Sequence, residues 1–387
     1  MLNRIKTILT FTLLTSLLIG CSPSEATSTP TLPPVTPQAT ATVNPIGLRF
    51  IEIPEQAGLQ AETLFPLDLY AFLRFRKSTA EDMSWNSVGS EHITASISNG
   101  IISATPLDPA WIGSETIQVE ACEPSGACAT QNIIYTIMDK ATFSGVRVTF
   151  VGNSGFLITA GDKKVLIDAF FEGFPPEYTL PESVQSLLVN AQPPFDDIDL
   201  ILASHAHDDH FSAAMIRQHM QNNPNAVFVS TTQATSQLAE FGDRVIAVDP
   251  VAGTPVQAEA NGIQVEAIYL SHGYPPNDPD EIFNNAYVVN INGIKFFHTG
   301  DLANLQDIDQ YNLSEMNIDL AFIQHFYLQN GMSRSILENN IGAKFLLPIH
   351  YQFTTPAFDA NTIKTNYPDA VIFYGELGNW FMPLSGN

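Results

Sequence analysis

Along the chain the apolar positions change their spacing from segment to segment. Ile8 to Ile19 is a largely apolar stretch, too short to span a bilayer comfortably. Ser22 to Pro45 has no apolar period at all. From Ile46 to about Lys140, short alternating runs recur between turn residues: Leu48–Ile53, His92–Ile97, Thr116–Ala121 and Gln131–Ile137. Many short strands at close spacing predict a small β-sandwich. From about Thr142 the strands become continuously apolar, as in Val148–Val151, Gly155–Thr159, Lys164–Asp168 and Ile198–Ala203. The last of these reads as a buried strand. Further strands are expected over Val227–Ser230, Ile263–Leu270, Ala286–Ile291, Ile294–His298, Leu320–Gln324 and Phe345–His350. Helices are expected over Ala213–Met220 with Ser212 as N-cap, over Thr232–Phe241 and over Ser333–Asn340. This second part is mixed α/β.

The first apolar run follows Arg4 and Lys6 and ends in Leu18-Ile19-Gly20-Cys21. A basic start, a short apolar core and a small residue before the cut describe a secretory signal over 1–20. The ending resembles a bacterial lipobox, which implies a lipid on Cys21 and a membrane-anchored, extracytoplasmic lipoprotein. An ordinary signal peptide or anchor helix with an incidental cysteine is the other reading. Ser22 to Pro45 carries six Pro, six Thr, three Ser and a single charge, Glu25. Such a stretch cannot bury apolar surface, so 21–45 is expected to be an extended tether.

Within 46–140, the run from Trp111 to Cys128 resembles the last hairpin of bacterial immunoglobulin-like or cadherin-like surface modules. It departs from them at Glu123, where many carry Asp, which weakens any inference of calcium binding at that turn. Cys122 and Cys128 enclose five residues. In an exported protein the natural reading is a disulfide stapling the hairpin; metal binding by the pair is the weaker one. A spacer role is expected for this module ahead of ligand recognition.

Charge narrows the function. The 387 residues carry 40 acids against 16 bases, a formal net charge of −24, with only 14% charged residues. An ordinary soluble domain has about 25%. Nucleic-acid binding needs a basic stripe to displace phosphate counterions, and this composition offers none.

The chemistry lies in 141–387, where eight of the nine histidines fall. The strand Ile198–Ala203 runs directly into His205, His207, Asp209 and His210, spaced H-x-H-x-D-H. Alternate residues of an extended segment face one way, so His205 and His207 can hold one cation. Asp209 and His210 then face a second position as the chain turns. The pattern resembles the metallo-β-lactamase superfamily, over roughly residues 145–380. The resemblance implies an αββα sandwich following an all-β immunoglobulin-like module. It also implies His272 as third ligand of the first metal, Asp301 shared, and Asp209, His210 and His350 at the second metal. Two divalent metal ions are then expected, zinc by default, with manganese or iron compatible with these donors.

There is no H-T-x-G-H stretch at His272, unlike the lactamase and glyoxalase branches. Val151-Gly-Asn-Ser-Gly-Phe156, His298-Thr-Gly-Asp301 and Pro348-Ile-His350 look closer to the ascorbate-phosphate lactonase-like and N-acyl-phosphatidylethanolamine phospholipase-like branch. The expected function is a metal-dependent hydrolase of an ester, lactone or phosphodiester, small or lipid-like, using a water ionised between the cations. Asp209 would ligate, orient the nucleophile and carry a proton. A non-catalytic surface binding or adhesion protein keeping the fold is the alternative. Redox chemistry is weaker, because diiron electron-transfer relatives place Glu where this chain has His207.

Other side chains are expected to play lesser parts. His298 and Asp168 would support ligands from behind, and His325 would meet substrate or sit in a loop. Tyr274, Phe326 and Tyr327 would line the pocket or pack, and His92 and His219 would be solvated. The loops Phe170–Pro194 and Gly273–Asn285 are expected to shape the pocket.

Overall fold

The computed structural model describes residues 47–173, 179–273, 281–352 and 358–382. The signal segment, the tether, Cys21 and Tyr274 lie outside the described residues. No helix among the described residues is long and apolar enough to cross a membrane.

The first part of the chain builds two facing sheets. One has the strand order Gln56–Leu59, Cys128–Met138, Gly113–Cys122, Ser84–Val88. The other runs Leu67–Asp68, Ile101–Pro106, Ile93–Ser98. The alternation works as its period requires: Ile117 and Val119 point inward with Ile133 and Tyr135. They meet Ile93 and Ile102 of the second sheet in one core. Cys122 and Cys128 face each other across the long hairpin and are disulfide-bonded. The strand expected over Leu48–Ile53 shrinks to Arg49–Phe50, paired with Leu73–Arg74. Ile51 N–H still donates to the Phe72 carbonyl, and Pro54, which has no N–H, follows three residues later.

The second part is a four-layer sandwich. Its seven-stranded sheet runs Val245–Ala247, Val227–Ser230, Leu200–Leu202, Lys163–Ile167, Gly155–Ala160, Val146–Gly152, Asn379–Met382. Its six-stranded sheet runs Val256–Ala260, Ile263–Tyr269, Asn285–Ile291, Ile294–His298, Leu320–Gln324, Phe345–Ile349. Phe150, Phe156 and Ile158 of the first share a core with Val265, Val289 and Phe322 of the second. On the first sheet's other face, Leu157, Leu166 and Phe228 pack against Val184 and Leu188 of helix Glu182–Val189 and Met215 and Met220 of helix Ala213–Asn222. Strands covered on both sides explain the unbroken apolar runs. Ser212 caps its helix by accepting from the Met215 N–H.

Several local expectations change. Glu182–Val189, expected as loop, is a helix that buries Val184 and Leu188 one turn apart. The helix over Thr232–Phe241 stays α-helical only to Thr235 and continues in 3-10 turns to Arg244, with non-helical backbone at Leu238 and Gly242. Ser333–Asn340 breaks into 3-10, α and π turns. His219 is not solvated. It shares a helix face with Met215 and Met220, is fully buried, and its Nδ1 lies 2.6 Å from the Leu188 carbonyl. His92 is half exposed, held by Glu115 at 2.6 Å and stacked on Trp111.

Candidate metal centre

The strand directions bring the histidine-rich segments together. Lys163–Ile167 and Leu200–Leu202 are parallel neighbours, so Asp168 and Ser204 emerge at the same sheet edge. In the second sheet Ile294–His298, Leu320–Gln324 and Phe345–Ile349 are parallel. Asp301, Gln324 and His350 therefore leave at one edge. Ile263–Tyr269 runs the same way, because both it and Ile294–His298 are antiparallel to the strand between them. That places His272 in the same row.

Tight backbone then aims the side chains. After the strand ending at Leu202, His210 and Phe211 N–H groups both donate to the His207 carbonyl. This turn separates His205 and His207 from Asp209 and His210. Gly300 has φ +55°, and a Cβ there would lie 2.2 Å from Asn284 Oδ1 and 2.6 Å from Ser204 Cβ. Only glycine fits between strand and ligand in His298-Thr-Gly-Asp301. Asp168 and His350 also have left-handed φ, +46° and +59°, a costly conformation that the surrounding structure must hold.

Two donor groups result. His205, His207 and His272 form one, and Asp209, His210, Asp301 and His350 the other; within each, ligand atoms lie within 4.8 Å of one another. Asp301 Oδ2 stands between them, 3.0 Å from His350 Nε2, 3.4 Å from His210 Nε2 and 3.7 Å from His272 Nε2. Asp209 Oδ2 is 3.3 Å from both His210 and His350 Nε2.

The rings are oriented from behind. Ser204 donates to Asp168 through its N–H at 2.7 Å and its hydroxyl at 2.8 Å. Ser204 Oγ is then an acceptor for His205 Nδ1, 2.9 Å away. His210 Nδ1 lies 2.8 Å from Asp168 Oδ2. Each contact leaves Nε2 facing the cluster. His298 accepts the Gly300 N–H at Nδ1 and faces the Ser154 carbonyl with Nε2, so it holds the Asp301 loop and does not reach the cluster.

The donor set fits cations. His210 Nε2 is buried with no hydrogen-bond partner, although two carboxylates lie 3.3 and 3.4 Å away. Five imidazoles and two carboxylates are the chemistry of zinc and similar divalent ions. The electrostatics point the same way. Burial pulls His210 down, but Asp301 and Asp168 outweigh it and hold the ring well above its ordinary value. Burial likewise opposes His350, and Asp301 and Asp209 push it up to about 9. Burial favours the neutral acid in Asp209 and Asp301, yet the facing imidazoles keep both carboxyls well below the usual carboxylate range. His205 is driven well down by burial and by His210, so it is a neutral donor. Positive charge is wanted beside Asp301.

Several supporting residues carried no legible signal in the sequence. Asn284 donates to the Leu270 and Thr299 carbonyls and accepts from the Asp301 N–H, all at 3.0–3.1 Å, joining the His272 and Asp301 loops. Gln324 accepts from Leu302 N–H and donates to Asp301 Oδ1. Asn153 donates to the Asp209 carbonyl, and its own carbonyl accepts from the His350 N–H. Each lies in a segment expected as strand, loop or motif, but nothing in the sequence marked the amide itself.

His325 opens the short helix His325–Gln329, half buried, with Nδ1 3.2 Å from Gln329 and its ring against Phe326 and Phe358. Tyr327 donates to the Leu302 carbonyl beside Asp301, a packing role, while Phe326 is 42% exposed.

A beta-lactamase superfamily domain profile matches residues 147–350, which hold both donor groups. The chain belongs to the beta-lactamase superfamily. Superfamily proteins similar to it include a UPF0173 metal-dependent hydrolase from Thermococcus onnurineus, 26% identical over 216 residues, which are 54% of this chain and 87% of the relative. Another, from Thermus thermophilus, is 26% identical over 217 residues, covering 54% and 86%. Among solved structures, the metallo hydrolase Igni18 from Ignicoccus hospitalis aligns with a TM-score of 0.45 at 20% identity, covering 62% of this chain and all of that one.

Proposed function

We propose that this superfamily member is a metal-dependent hydrolase of an ester, lactone or phosphodiester. The position of Asp301 Oδ2 between the two donor groups carries the reading, because it lets one carboxylate serve two cations. His205, His207 and His272 would hold one ion, and Asp209, His210 and His350 the other. Two divalent ions, zinc by default, would supply Lewis acidity and ionise a water near neutral pH. Asp209 would orient the attacking water and pass its proton to the leaving group. Asn153 and Gln324 keep the two carboxylates aimed, and Asp168 keeps His210 aimed.

The Val151–Phe156 stretch, the His298–Asp301 stretch and the Pro348–His350 ending favour the lactonase-like and phospholipase-like branch. The basic start and the Leu18–Cys21 ending support an exported protein held to the membrane by lipid on Cys21. The Thr/Pro tether would carry it on the extracytoplasmic face, and the two facing sheets of the first part support an immunoglobulin-like module.

Metal analysis of the full chain, with a panel of esters, lactones and phosphodiesters, tests this. The expected result is tightly bound transition metal and turnover that Asp209→Ala lowers at least a hundredfold. A protein that neither retains nor takes up such a metal overturns it.

A further inference from the structure

A cleft of about 690 Å³ lies between the N-terminal sheets and the edge of the seven-stranded sheet, within the range of small-molecule sites. Its apolar wall comes from Leu59 and Phe65 on one side and Phe143, Leu187, Pro193 and Pro194 on the other. Arg147 lines it near the start of strand Val146–Gly152. Asn153, beside Asp209, follows that strand's other end, so the cleft and the metal ligands are separated by about 20 Å of extended chain.

The polar lining is unusual for this chain. Three of only 16 bases, Lys140, Arg147 and Lys164, border it. Lys164 is spent on Asp196 and two carbonyls. Glu62 takes both Lys140 and one Arg147 nitrogen. Yet the buried Arg147 Nε has no hydrogen-bond partner, and neither does the buried Thr159 Oγ1. These two residues are direct cross-strand partners, so their side chains share one face of the sheet. Two neighbouring buried polar groups left unmatched are costly; closed off from solvent as they stand, they would reach an acceptor with two oxygens once both side chains turn toward the cleft.

The geometry points to a second ligand site here, for a small amphipathic carboxylate: head group at Arg147 and Thr159, tail along Leu59, Phe65, Leu187 and the two prolines. Lys140, with 60% of its side chain exposed, adds positive potential at the rim. The N-terminal module is then one wall of a binding site as well as a spacer.

Calorimetric titration of the full chain with decanoate, and with decanol as the uncharged counterpart, tests the site. Decanoate is expected to bind at one site, at least tenfold tighter than decanol. Thr159→Val, which removes one hydrogen bond to a charged head, should weaken decanoate about tenfold. Leu187→Trp, which fills the cleft, should abolish binding with metal content unchanged. Arg147→Gln should also abolish it; if that variant loses its fold with the Glu62 pair, the other two still decide. Equal affinity for decanoate and decanol, no binding of decanoate, or binding that survives Leu187→Trp overturns the assignment.

Discussion

His210 Nδ1 lies 2.8 Å from Asp168 Oδ2, and neither side chain has any exposure to solvent. The carboxylate fixes the ring so that Nε2 faces Asp209 and Asp301. Asp168→Asn keeps the shape but removes the charge behind the ring. Loss of such a partner lowers metal affinity about 10- to 100-fold. Competition with a chromophoric chelator measures it, and unchanged affinity would show that the pair serves only packing.

Protons and cations compete for the Asp209, His210, Asp301 and His350 group. His350 is pushed up to about 9, and a cation needs its Nε2 unprotonated. Below that pH, binding must release the His350 proton, and His210 is held up as well, so affinity rises with pH up to at least about 9. Chelator competition between pH 6.5 and 9.5 reads the slope. A flat profile would mean that His350 is not displaced.

Gly300→Ala forces a Cβ into Asn284 Oδ1 and Ser204 at a left-handed φ. The strain alone costs about 1–3 kcal/mol, and relief requires Asn284 to release the Asp301 N–H. Both a lower melting temperature and loss of metal are expected. A variant with full metal content and unchanged melting would contradict the close approach.

The Cys122–Cys128 staple closes a short loop at the tip of the long hairpin. Replacing both by Ser should destabilise the N-terminal sheets by about 2 kcal/mol. The candidate metal centre sits in the other sandwich, so metal content should not change. Thermal unfolding with and without reductant, alongside metal analysis, checks both halves of the expectation.

The candidate donors were legible in the sequence because their information is local or ordered. H-x-H-x-D-H needs only the alternation of an extended segment and one turn, and His272, Asp301 and His350 each come within four residues of an apolar run. Continuous apolar runs likewise announced strands, and the structure covers them on both sides. What the sequence could not separate was histidines of identical type. His219 sits buried beneath a helix against the Leu188 carbonyl, and only the face it shares with Met215 and Met220 put it there. Asn153, Asn284 and Gln324 were illegible for a related reason. An amide side chain is common anywhere, and these act on residues 14 to 56 positions away. The chain therefore determined by itself which side chains could bind cations and in what order they occur. Only the tertiary structure decided that Asp301 stands between the two donor groups and that Arg147 and Thr159 share a cleft, because those distances are set by how strands line up across a sheet.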